Sequence, residues 1–123
     1  MTQIKWAAAV MATAITLGMG AVSTAKAGAL PGPKYADDRV GAYRTDTYVV
    51  RFEEDESAVV VLRGDGDTDL DLYVYDVNGH LIASDTDGDA IAAVRWTPAW
   101  TGRFIIKVVN HGSVYNHYTL ETN

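Results

Sequence analysis

The stretch RGDGDTDLDLYVYDVNGHLIASDTDGD, residues 63–89, decides the fold. Leu70, Leu72 and Val74 alternate with Asp69, Asp71, Tyr73 and Tyr75, so a strand here puts apolar side chains on one side and acidic or aromatic ones on the other. Asn78-Gly79 is the dipeptide favoured in tight hairpins, and residues 81–84 read as the return strand. Two aspartate clusters flank this hairpin: Asp65, Asp67, Asp69 and Asp71 before it, Asp85, Asp87 and Asp89 after it. Carboxylates this close repel one another unless water, arginine or a metal ion neutralises them. A sheet core therefore lies beside a charge problem.

Working outward, the same period-two pattern recurs between turn signals. Residues 46–52 place Tyr48, Val50 and Phe52 on one face, and an acidic turn at 53–56 leads into the strand 57–63. A strand at 90–97 ends at Pro98, with Trp96 in phase with Val94. Thr101-Gly102 turns the chain into 103–110, where Phe104, Ile106 and Val108 share a face. His111-Gly112-Ser113 is a further turn before the final strand, 115–121. No stretch after Gly28 repeats apolar residues at helical spacing for long enough to make a helix. About seven to eight strands with frequent turns predict an all-β antiparallel β-sandwich.

The beginning of the chain reads as an address. A short positive start (residues 1–5), an apolar run (6–22) and the small-x-small site Ala25-Lys26-Ala27 follow the order of a secretory signal peptide. The expected division is a signal at 1–27, an extended leader at 28–45 and a folded domain at 46–123. The mature chain is expected in the periplasm or outside the cell, with no membrane insertion after cleavage. The sequence has no cysteine, which excludes disulfides and cysteine-linked lipid. Removing Lys5 and Lys26 with the signal takes the formal net charge from −6 to −8. That balance argues against nucleic acid, whose phosphates need a basic face. It suits cations, neutral sugars or proteins with basic patches.

Three pieces of sequence carry a resemblance. Residues 64–79 (Gly-Asp-Gly-Asp-Thr-Asp-Leu-Asp-Leu-Tyr-Val-Tyr-Asp-Val-Asn-Gly), then Ser84-Asp85-Thr86-Asp87, then residues 96–108 with Trp96-Thr97-Pro98 and Thr101-Gly102-Arg103-Phe104, resemble the bacterial pre-peptidase C-terminal domain. The resemblance covers about 46–123. It implies a jelly-roll-like sandwich, a family usually appended to exported proteases and hydrolases, with some members binding calcium and some binding insoluble substrates such as collagen. No catalytic domain precedes the module in this sequence, so any help to an enzyme is expected in trans.

Calcium takes six to eight oxygen ligands at about 2.3–2.6 Å, which clustered carboxylates on glycine-containing loops supply. Asp69, Asp71, Asp85 and Asp87 are the first candidates, with Asp65, Asp67 and Asp89 behind them. The competing reading is turn chemistry, in which aspartates cap their own backbone and Arg63, Arg95 or Arg103 neutralises the rest. Both stay open at this level.

Aromatic residues give a second candidate site. Trp100 follows Pro98-Ala99 in a loop, and Tyr73 and Tyr75 share the strand face away from the core; exposed, they would grip a sugar or a peptide. For catalysis, His80, His111 and His117 all lie in or beside turns, and no Gly-x-Ser-x-Gly elbow is present. The sequence thus predicts a non-catalytic exported binding or stabilising module. Calcium is its expected ligand. The alternatives are a carbohydrate- or peptide-binding module and an interaction partner or inhibitor of an exported protease.

Overall fold

A computed structural model describes residues 3–5 and 28–123. Apart from residues 3–5, the segment expected to act as a signal peptide lies outside the described residues. Two short strands, β1 (Gln3–Lys5) and β2 (Ala29–Leu30), precede β3 (Tyr35–Val40), β4 (Thr45–Phe52), β5 (Ala58–Gly64), β6 (Leu70–Asp76), β7 (Leu81–Asp85), β8 (Ile91–Trp96), β9 (Gly102–Asn110) and β10 (Asn116–Thr122). One sheet runs β1-β4-β9-β6-β7, with β2 also on β4, and the other runs β3-β10-β5-β8. All pairings are antiparallel except that of β1 with β4, where Gln3 lies opposite Asp46 and Lys5 opposite Tyr48. The two four-strand paths from β3 to β10 interleave as in an eight-stranded jelly roll, as expected.

Each strand forms because its alternation matches the two environments it meets. In β9, Phe104, Ile106, Val108 and Asn110 are buried while Arg103, Ile105, Lys107 and Val109 face away from the core. Tyr48, Val50 and Phe52 of β4, Leu70, Leu72 and Val74 of β6, and Tyr118 and Leu120 of β10 close the same core. Buried aliphatic or aromatic side chains each contribute about 1.5–3 kcal/mol by leaving water.

The span expected to be an extended leader departs from that expectation. Its last part is β3, an edge strand that pairs along its length with β10, and Ala29 belongs to the core. Its sequence, Tyr35-Ala-Asp-Asp-Arg-Val40, conceals the strand because exposed aspartate and arginine replace the usual apolar residues. Edge strands tolerate such charge, which also blunts edge-to-edge pairing.

The seven connections from β3 to β10 divide between two ends of the sandwich. Loops 41–44, 65–69, 86–90 and 111–115 gather at one end, which we call the loop end. There Tyr43 N–H donates to Gly112 O (3.0 Å), His111 N–H to Asp69 O (3.0 Å) and Gly64 N–H to Ala90 O (2.8 Å). The acidic turn 53–57, the hairpin 77–80 and the loop 97–101 form the opposite end, where Asp55 N–H donates to Pro98 O (2.9 Å).

Candidate functional site

The loop end is organised by two buried asparagines that terminate β9 and begin β10. Asn110 Nδ2 donates to Val114 O (2.9 Å), Gly41 O (3.0 Å) and Val40 O (3.3 Å), while its Oδ1 accepts Gly112 N–H (2.9 Å). Asn116 Oδ1 accepts Asp65 N–H (3.0 Å), and its Nδ2 donates to Thr68 Oγ1 (2.9 Å). A side-chain amide offers donors and an acceptor together, so it completes loop backbones that no neighbouring strand can reach. Gly112 sits so tightly on Thr68 that any Cβ there would collide with it. Loops 41–44, 65–69 and 111–115 are therefore one braced unit.

Three large apolar side chains stand out from that unit: Tyr43 (71% exposed), Val114 (52%) and Tyr115 (48%). The Arg39 guanidinium lies 5.0 Å from the Tyr115 ring centroid, a cation–π distance. Tyr43 also has φ = 55°, in the left-handed region. That conformation costs an L-residue other than glycine, asparagine or aspartate about 1–2 kcal/mol. With most of its ring in water, packing does little to offset the cost. Asp55, the other non-glycine residue with positive φ (65°) among the described residues, is of a type that tolerates the region.

The aspartates divide by role. Asp65 Oδ1 accepts Asp67 N–H (2.9 Å) and its Oδ2 accepts His117 N–H (3.0 Å). Asp85 accepts Asp87 N–H (3.4 Å) and Ala93 N–H (2.9 Å), and Asp87 accepts Asp89 N–H (3.1 Å). The bonds from Asp67, Asp87 and Asp89, each two residues on, are the self-capping bonds of turn aspartates, while those from His117 and Ala93 come from distant backbone. The two amides hold the Asp65 carboxyl below its usual range, that of Asp67 first and that of His117 next. The hairpin does bring both clusters to one end: a Cβ on Gly88 would lie 3.8 Å from Asp69 Oδ1. Asp71 shares the outer sheet face with Asp69 yet is only 6% exposed, and its Oδ2 bonds His111 Nε2 at 2.8 Å. Its Oδ1 is buried without a hydrogen-bond partner. Among the described residues no three histidine, aspartate or glutamate side chains gather into a group able to hold a metal ion.

Two of the arginines expected to neutralise this charge bond elsewhere. Arg63 pairs with Glu121 at 3.0 Å and Arg95 donates to Ser57 Oγ at 3.0 Å. The three histidines, placed in or beside turns by the sequence, each bond a carboxylate: His80 with Asp76, His111 with Asp71, His117 with Asp37. These pairs lie on separate turns and strands.

The predicted aromatic residues occupy two other places. Tyr73 and Tyr75 stack on the outer face of β6 with centroids 6.2 Å apart, and Lys107 Nζ lies 5.3 Å from the Tyr75 centroid. Burial raises the Tyr73 hydroxyl pKa, with the Asp71 charge adding to it. Trp100 is 42% exposed, but its ring stacks on Phe104 at 5.6 Å, so half of it is packing. The sequence reading missed Tyr43, Asn110, Asn116 and a buried chain from Tyr48 through Tyr118 to Asp46. In that chain Tyr118 O–H donates to Asp46 Oδ2 (2.6 Å) and lies 2.6 Å from the Tyr48 hydroxyl. Burial pushes both tyrosine hydroxyls well above their ordinary range. The alternation Asp46, Tyr48, Val50, Phe52 was the available signal, because it points Asp46 inward.

No family model matches the sequence, and no curated protein matches it. Solved structures do share its fold. The pre-peptidase C-terminal domain of a Bacillus anthracis collagenase is 10% identical, with a TM-score of 0.61 over 74% of this chain and 87% of that one. A Yersinia pseudotuberculosis-derived mitogen is 14% identical, with a TM-score of 0.58 over 76% and 86%. A periplasmic inhibitor of g-type lysozyme from Aeromonas hydrophila is 13% identical, with a TM-score of 0.56 over 74% and 84%. At such identities the likeness is one of fold: this chain has the sandwich of a pre-peptidase C-terminal domain, a mitogen and a lysozyme inhibitor.

Proposed function

We propose that this protein is an exported, non-catalytic binding module whose ligand is another extracytoplasmic protein carrying a basic surface. The observation that carries the reading is the placement of its aromatic side chains outside a filled core. Tyr43, Tyr115 and Tyr35 are exposed, and Tyr73 and Tyr75 stack on an outer sheet face. Aromatic side chains displayed on a rigid scaffold supply large contact area at small entropic cost, and they dominate protein-binding surfaces. The acidic balance, −6 over the whole sequence, favours basic partners and speeds encounter with them. A known lysozyme inhibitor shares the fold, which makes a secreted cell-wall hydrolase the first partner to try. The fold itself hosts unlike functions, so the surface and not the architecture must support the assignment.

The experiment is a calorimetric titration of the purified protein with g-type lysozyme, alongside the enzyme's lytic rate. Saturable binding that weakens with salt, with loss of lysis, supports an inhibitor. Binding without loss of lysis supports an accessory role. Calcium binding by Asp69, Asp71, Asp85 and Asp87 is a separate proposal, motivated by the approach of Asp69 to Gly88. Thermal unfolding in EDTA, in millimolar calcium and in magnesium tests it. A rise specific to calcium supports the site, and equal midpoints remove it.

A further inference from the structure

We infer that the binding surface of this module is the loop end, with Tyr43 as its main aromatic contact and the acidic loops 65–69 and 86–90 to one side of it; this rests on the protein-binding reading above. Three observations converge. The first is the backbone of Tyr43, held at φ = 55° with 71% of the residue in water. A glycine or asparagine would make the same turn without strain, so the fold gains nothing from tyrosine here. A strained, exposed aromatic residue on an ordered loop points to use of its side chain.

The second observation is the bracing. Tyr43 N–H is tied to Gly112 O, and Asn110 ties loops 41–44 and 111–115 together through Gly41 O and Val114 O. Tyr43, Val114 and Tyr115 are thereby fixed in place before a partner arrives, and such preorganisation removes an entropic cost of binding. Tyr73, Tyr75 and Trp100 each stack on another aromatic ring of this molecule, whereas Tyr43 and Tyr115 stack on none among the described residues, Tyr115 meeting only the Arg39 guanidinium.

The third is charge. Loops 41–44, 65–69, 86–90 and 111–115 carry five aspartates, Asp65, Asp67, Asp69, Asp87 and Asp89, against one arginine, Arg44. All five carboxylates belong to exposed residues. The aromatic loops 41–44 and 111–115 lie beside the acidic loops 65–69 and 86–90, and such a surface complements a protein face on which an apolar depression adjoins basic residues.

The test pairs stability with affinity in the full chain, using g-type lysozyme as the probe. Tyr43→Gly is expected to leave the melting temperature unchanged or raised and to weaken binding at least about tenfold, the range of an interface hot-spot tyrosine. Tyr75→Ala is expected to leave affinity within about threefold, as for a residue outside the interface. Raising salt should weaken the wild-type complex, because the acidic loops are screened. Wild-type affinity in Tyr43→Gly overturns the loop-end surface and leaves the protein-binding reading intact. A melting temperature lowered by several degrees in that variant also overturns it, since Tyr43 is then structural. Failure of the unaltered protein to bind the lysozyme removes the partner reading itself and the loop-end assignment with it.

Discussion

The two ends of this sandwich handle the same materials in opposite ways. At the opposite end aromatic rings turn inward. Phe52, Trp96 and Phe104 meet with centroids 4.8–5.9 Å apart, and Trp100 lies over Phe104 as a partial lid. Its turns use residues suited to their backbone, with Asp55 and Gly79 at positive φ. At the loop end the amides turn inward and the aromatic rings turn out: Asn110 and Asn116 are buried, while Tyr43 and Tyr115 stand in water. The opposite end packs its aromatic rings against one another, although Val77 and Leu81 at its hairpin stay exposed. The other holds its loops with hydrogen bonds and leaves its large side chains unspent. A buried amide network fixes position without consuming aromatic surface, which is the arrangement a binding surface needs.

Four outcomes would break or sharpen that contrast. The largest effect is expected at the opposite end. Phe104→Ala removes the ring on which Phe52, Trp96 and Trp100 converge, and should cost about 3–5 kcal/mol in denaturant unfolding. Next comes Asn110→Ala at the loop end. It strips four hydrogen bonds at about 0.5–1.5 kcal/mol each, so a loss of about 2–6 kcal/mol should appear in the same assay. A loss below about 0.5 kcal/mol, the scale of a neutral surface change, would show that the loops stand without the brace. Tyr43→Gly should move stability by little: relief of about 1–2 kcal/mol of strain is set against about 0.5–1 kcal/mol of added chain entropy in glycine.

Acid supplies the smallest test, and it touches both ends alike. The Asp65 carboxyl is depressed by the Asp67 and His117 amides, and that of Asp76 by the His80 amide first, with the His80 ring and the Asn78 amide adding to it. A carboxyl held below its unfolded value, about 3.9, contributes stability above that pH and loses it as pH falls through the folded value. Asp65→Asn and Asp76→Asn should each flatten the fall of melting temperature below about pH 4. Asp65 is exposed, so water screening keeps its share small. An unchanged acid profile in both variants would show that other carboxylates set the acid limit.

Much of the fold was legible because alternation is a strong signal. Tyr48, Val50 and Phe52, or Phe104, Ile106 and Val108, assign their own faces. Asn78-Gly79 announced the β6–β7 hairpin, and Gly79 takes the positive φ that the turn requires. β3 was hidden because its exposed side carries Asp37 and Arg39, which read as loop. The site was less legible for a different reason. Aspartates at every second position suggest a cation, but backbone amides can satisfy them as well, and no sequence pattern states which partner is nearest. Asn110 and Asn116 looked like turn residues, yet their value lies in loops distant in sequence, at Gly41 and Thr68. The strain at Tyr43 is a property of φ, which composition does not reveal.

The central claim is that the loop end is held in one geometry before any partner is present. Amide hydrogen exchange of the free protein tests it most directly. Tyr43, Asp65 and Gly112 donate their N–H groups to Gly112 O, Asn116 Oδ1 and Asn110 Oδ1 respectively. These three amides should exchange as slowly as those of the adjoining strands, within about tenfold, because they open only with the braced unit. Exchange at the rate of an unstructured chain would contradict a preorganised surface and leave the loop end an ordinary set of mobile turns.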